Sequence, residues 1–207
     1  MGWTYYYKNW KTIQEFFEKQ FRTDSENIKF TVLDSSLVNR QEAYAAIKYQ
    51  DIESNKEYVF AATYLVRFNR GYYNFGYKDM DESCGPGMYN CPERIMKLLT
   101  PTESNYAIEW RKKMWEIINK RKYLAKTLKI GTYFYIKIDN KKILHMVTDR
   151  NINYIFIREV IENTKYNTNL LGELYKLKIK SLHNYDIEYI EAKDLEMKIK
   201  DLNKEDV

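Results

Sequence analysis

The sequence predicts an α+β protein: an N-terminal antiparallel sheet with helices, followed by a small β-barrel-like domain. Three observations predict it. Segments rich in β-branched and aromatic residues, punctuated by short polar turns, fill residues 28–78 and again residues 132–192. A helical period of apolar residues separates them. No internal repeat, low-complexity tract or Gly/Ser linker intervenes. The expected organisation is an α+β domain over 1–125, a small β domain over 126–195 and a charged tail over 196–207.

The elements follow in order. KTIQEFFEKQF places Ile13, Phe16, Phe17 and Phe21 on one face, which is the spacing of a short amphipathic helix. IKFTVLDSSLV, EAYAAIKYQ and EYVFAATYLVRFN read as strands, with a hairpin turn at Glu53–Asn55 between the last two. GYYNFGYK adds a fourth. Tyr77 to Cys91 then reads as a shaped loop, because the Gly-Pro-Gly run forces a turn. Asn90 is placed to cap a helix starting near Cys91 and Pro92. Thr100, Pro101 and Glu103 form a second start signal, a capping box opening a helix to about Lys122. Tyr106, Trp110, Met114, Ile117 and Ile118 keep its period. TYFYIKI, KILHMVT and NYIFIRE are separated by hairpin-length connections, and ELYKLKIKSL and DIEYIEA complete about five strands. The tail reads as a weak or frayed terminal helix.

Composition sets wide limits. Of 207 residues, 44% are hydrophobic and 30% charged, ordinary for a soluble globular chain with a real core. The 20 tyrosines suit half-buried sheets and binding surfaces, and also an AT-rich genome. A net charge of +5 does not by itself imply nucleic acid. Two cysteines make no disulfide scaffold, so a reducing cytoplasm is the expected setting. No signal-peptide run or membrane span stands out. Tyr6 occupies the position where a myristoylation pattern needs Ser or Thr.

Two places attract a functional reading. The first is the loop with Tyr77, Lys78, Asp79, Asp81 and Glu82. Clustered carboxylates suit a divalent cation, and Asp79, Asp81 and Glu82 could serve a metal-dependent hydrolase or nuclease. They equally suit turn caps that accept backbone N–H bonds. An EF-type loop starting at Asp79 puts Cys84 where glycine belongs and Asn90 where glutamate belongs. The spacing of Cys84 and Cys91 is outside that of common zinc sites. No metal or cofactor is therefore assigned, and no catalytic residue. The second place is the helix segment with Arg111, Lys112, Lys113, Lys120, Arg121 and Lys122, set against a single acid, Glu116. It reads either as a basic stripe for phosphates or as a solvated face with cations near a helix C-terminus. His145, between apolar residues, reads as a core or edge histidine. No Walker loop, G-x-S-x-G, H-E-x-x-H or paired C-x-x-C occurs.

MGWTYYYK at the start, YAA at Tyr44, and the run FGYKDMDES, GP, NCP, LLTPT and YAIEWR resemble a family of uncharacterised proteins from phages and mobile elements of Firmicutes-type bacteria. The resemblance covers roughly residues 1–120 and is most specific from Phe75 to Arg111; Gly131-Thr132 is similar to the opening of the small β-barrel that tends to follow. It carries no catalytic residue. It implies a small cytoplasmic accessory protein of a mobile element, acting in the bacterial host cell. The expected function is non-enzymatic binding of nucleic acid or a host nucleoprotein complex, most concretely as an inhibitor of a defence system (anti-CRISPR or anti-restriction type). The alternatives are the hydrolase or nuclease above and an oligomerisation module with tyrosine-rich sheets as its interface.

Overall fold

The computed structural model describes residues 5–7, 12–38, 42–69, 72–84, 87–163 and 168–190, with backbone alone for 5–7, 66–69, 72–81, 162–163 and 168–170. The class is α+β, as the residue patterns predict. The chain divides into two compact units, Met1–Glu116 and Ile117–Val207.

The first unit holds β1 (Tyr5–Tyr7), α1 (Ile13–Gln20), β2 (Ile28–Leu37), β3 (Glu42–Asp51), β4 (Lys56–Asn69) and β5 (Tyr72–Asp81). The strands form one antiparallel sheet in the order β1-β5-β4-β3-β2. α1 starts where Thr12 accepts the Glu15 N–H and the Glu15 carboxylate accepts the Thr12 N–H, a complete capping box. Its apolar face buries Phe16 and Phe17 against Ala43, Ala45, Ile47, Ala62 and Tyr64. Small residues on β3 and β4 let the helix approach the sheet closely. The β3–β4 turn is held by Asp51, whose carboxylate accepts from Ser54 Oγ at 2.6 Å and from the Glu53 and Ser54 amides. Those bonds, that of the Ser54 hydroxyl first, hold its pKa below the usual carboxylate range. Asn55, at φ 51°, takes the left-handed position the turn needs.

The region after β4 departs from expectation. Residues 77–81 are not loop but the second half of β5, with Asp81 opposite Ala62 and Met80 opposite Thr63. The dense run of acids lowers the apparent strand propensity of this segment. Glu82–Cys84 is one 3-10 turn. Asn90 does not cap a helix: its side-chain amide donates to Glu42, and its backbone N–H donates to the buried Tyr44 hydroxyl. α2 (Glu93–Met96) begins after Pro92 instead. α3 (Asn105–Thr127) starts later than the Thr100 signal and runs further than Lys122. Ser104 caps it, accepting from the Ala107 amide at 3.4 Å.

α3 continues into the second unit, where Leu124 and Leu128 enter a core with Phe134, Ile136, Val147, Ile155, Ile157, Leu177 and Leu182. That unit contains β6 (Tyr133–Ile138), β7 (Lys141–Arg150), β8 (Tyr154–Asn163), β9 (Thr168–Lys178) and β10 (Ile187–Tyr189), ordered β10-β6-β7-β8-β9. Asp139 and Asn140 both have positive φ, the two-residue turn that matches strand twist. The β9 strand ends earlier than its sequence pattern implies, because Ile179–Asn184 winds into a 3-10 turn that buries Leu182. Arg150 donates to the carbonyls of Ala125 and Leu128 at 2.9 and 3.0 Å, closing the C-terminal end of α3. The expected charged tail, 196–207, lies outside the described residues.

His145 is buried in this unit, 4% exposed, stacked beside Phe134 and opposite Glu159. Burial pushes its pKa down. Its folded value lies below its unfolded one, so its contribution to stability is full above about pH 6.5. That contribution is lost as pH falls below this value towards the folded pKa. Thermal melts of the second unit should drop more steeply below this pH in the wild type than in His145→Phe. Equal slopes in the two proteins would show that this histidine is not the linked group.

Candidate binding groove

The first unit carries a half-open groove of about 790 Å³. Its floor follows from a mismatch of lengths. α1 has 8 residues, about 12 Å, while β4 has 14, about 45 Å. The helix therefore cannot cover the sheet. Where it ends, the apolar face continues as Phe30, Tyr49 and Tyr58, directly opposite one another on β2, β3 and β4. Phe60, two residues beyond Tyr58, shares that face, and Phe21 at the end of α1 completes a ring of five aromatics. Successive centroids are 5.7 Å (Phe21–Phe30), 5.5 Å (Phe30–Tyr49), 4.8 Å (Tyr49–Tyr58), 5.9 Å (Tyr58–Phe60) and 5.7 Å (Phe60–Phe21). All five are only partly buried, and Tyr58 is 36% exposed. Lys56 stands over the Tyr58 ring, its Nζ 5.8 Å from the centroid.

The opposite wall is the Thr100–Glu103 segment, fixed to β4 by Thr100. The Val59 N–H donates to Thr100 Oγ1 at 2.9 Å and the Thr100 N–H donates to the Val59 carbonyl at 3.1 Å. Behind it Arg111 reaches Glu82 by two bonds, Nε to Oε2 at 2.7 Å and a second from Nη2 to Oε1, and also donates to the Thr100 carbonyl. Glu82 is 2% exposed. This bidentate pair neutralises the carboxylate in place and holds the wall segment at the same time.

The residues singled out in the sequence are thus dispersed. Tyr77, Lys78, Asp79 and Asp81 lie on β5, and their side chains are outside the described residues. Glu82 and Arg111 meet, as partners in structure. Lys113 Nζ lies 4.0 Å over the Tyr89 ring, and Lys112 is exposed. In the second unit Lys120 donates to the carbonyls of His183 and Tyr185, Arg121 is half-buried near His183, and Lys122 is exposed. Among the described residues no group of three His, Cys, Asp or Glu side chains could hold a metal ion. Cys84 and Cys91 are not joined in a disulfide; the first is exposed and the second buried. The described helices include none long and apolar enough to cross a membrane.

Sequence reading missed the aromatic floor. Its signal was present but non-local: Phe30, Tyr49 and Tyr58 become neighbours only through strand register. No protein-family model, no curated protein and no solved structure matches the chain.

Proposed function

We propose that this chain is a non-enzymatic binding protein of a phage or mobile element that engages a nucleic acid or nucleoprotein complex in the bacterial cytoplasm. Its most concrete form is an inhibitor of a defence system. The observation that carries the binding role is the groove floored by five partly buried aromatics. Aromatic floors of this kind hold flat or apolar groups by stacking and burial, each ring contributing on the order of 1–3 kcal/mol. Lys112 and Lys113 offer cations on the same unit for any phosphate the partner carries. A hydrolase built on Asp79, Asp81 and Glu82 gains no support, because Glu82 is buried and engaged by Arg111.

The test is capture from a bacterial lysate on the tagged chain, with and without nuclease, compared between wild type and Tyr49→Ser/Tyr58→Ser. Wild type should retain a nucleoprotein, and the variant should lose at least about tenfold of it with an unchanged circular dichroism spectrum. Equal capture by both proteins would remove the groove from the reading.

A further inference from the structure

The groove runs along a strand edge as well as an aromatic floor. β5 pairs with β4 only from Ala62 onward, so β4 has no β5 neighbour between Lys56 and Ala61. Thr100 fills that edge at Val59 alone. The β3–β4 register is unbroken from Glu42 opposite Leu65 to Asp51 opposite Lys56. In an antiparallel ladder, main-chain groups of alternate residues face the same side. The N–H and C=O of Glu57 therefore face the same edge as those of Val59. Among the described residues nothing donates to or accepts from them. Glu57 itself is exposed and lines the groove.

The charges select the occupant. Glu82 is paired with Arg111, and Glu57 with Lys48 at 2.9 Å. Lys56 and Glu103, one of each sign, remain on the rim. The groove has no net positive field to draw a phosphate backbone, and its matched rim suits a segment of no net charge. We propose that the groove takes an extended polypeptide segment of a protein partner, added as a short strand at Glu57, with an aromatic or branched side chain seated on Tyr49 and Tyr58. This rests on the binding role proposed above and assigns the contact to the protein part of the target. Among the described residues Glu57 alone offers main-chain bonds on this edge, so the aromatic floor carries most of the affinity.

The probe is a random peptide library panned on the full purified chain. Selected peptides should carry an aromatic or branched residue and should slow hydrogen exchange of the Glu57 amide. N-methylation of one peptide amide should weaken binding about tenfold, while methylation of its two neighbours should not. Peptides that bind without slowing Glu57 exchange, or that show no such single-position sensitivity, overturn strand addition. So does a homothymidine oligonucleotide that occupies the groove where no peptide is selected, an outcome that leaves the binding role standing. The binding role itself fails separately, in the lysate comparison of wild type with Tyr49→Ser/Tyr58→Ser.

Discussion

Replacing Arg111 with alanine is expected to destabilise the first unit by about 3–5 kcal/mol. The cost does not come from losing an attraction alone. Glu82 has a side chain only 3% exposed, and the Arg111 side chain is 15% exposed. Without its partner the carboxylate stays buried and uncompensated, and the Thr100 carbonyl loses a charged donor as well. Urea unfolding followed by tryptophan fluorescence reports on this unit, since all four tryptophans lie within Met1–Glu116 and the Trp110 indole is buried and donates to the Met88 carbonyl at 2.9 Å. The double variant Arg111→Met/Glu82→Leu removes both charges and should recover most of the loss. A contrast lies nearby. Arg94 also grips a carboxylate, Asp34, with bonds of 2.5 and 2.7 Å, yet its side chain is 57% exposed. Arg94→Ala should therefore cost no more than about 1 kcal/mol. If the two arginines prove equally costly, burial is not what separates them.

Phe17→Ala should cost about 3–5 kcal/mol. Phe17 is fully buried, edge-on to Phe16 and Tyr64 with centroids 5.3 Å away in each case. The sheet residues of its cluster include Ala43, Ala45 and Ala62, short side chains fixed in strands that cannot move in to fill the space it leaves. Phe17→Leu keeps most of the volume and should lose less. The same urea titration decides it, and an alanine variant within about 1 kcal/mol of wild type would mean that α1 repacks freely.

Both variants bear on parts of the fold that were unevenly legible in the residues. α1 was readable from its 3.6-residue period through Ile13, Phe16 and Phe17, and β2 to β4 from runs of β-branched and aromatic residues bounded by polar turns; β3 is buried at every position from Ala43 to Ile47, so alternation does not mark it. The two-residue turn at Asp139-Asn140 was readable from its residue types. Boundaries were less so. Thr100, Pro101 and Glu103 have the composition of a helix start, but Thr100 is occupied with the edge of β4, so the helix opens at Asn105 instead. Asn90 has the composition of a cap, but Glu42 and Tyr44, far away in the chain, claim its amides. In each case a long-range hydrogen bond outcompeted a local one. The acid-rich segment misled for a related reason: Asp79 and Asp81 look like loop chemistry, while strand pairing with β4 is imposed from outside. The groove was least legible, because its floor joins residues from the end of α1 and from three strands.

The order of strands in each sheet also bears on how the chain assembles during synthesis. β2 to β5 and β6 to β9 each pair with the strand just made, so these hairpins can zip as they leave the ribosome. Two pairings cannot. Tyr5 meets its partner only after Gly76 has been made, and Ile136 waits for Ile187. β1 is therefore the last strand of its sheet to be paired, and from the completion of β5 until β1 docks the β5 edge stands open to other chains. A ribosome pause after β5 would give that closure time, and fast synthesis would favour misassembly at that same edge.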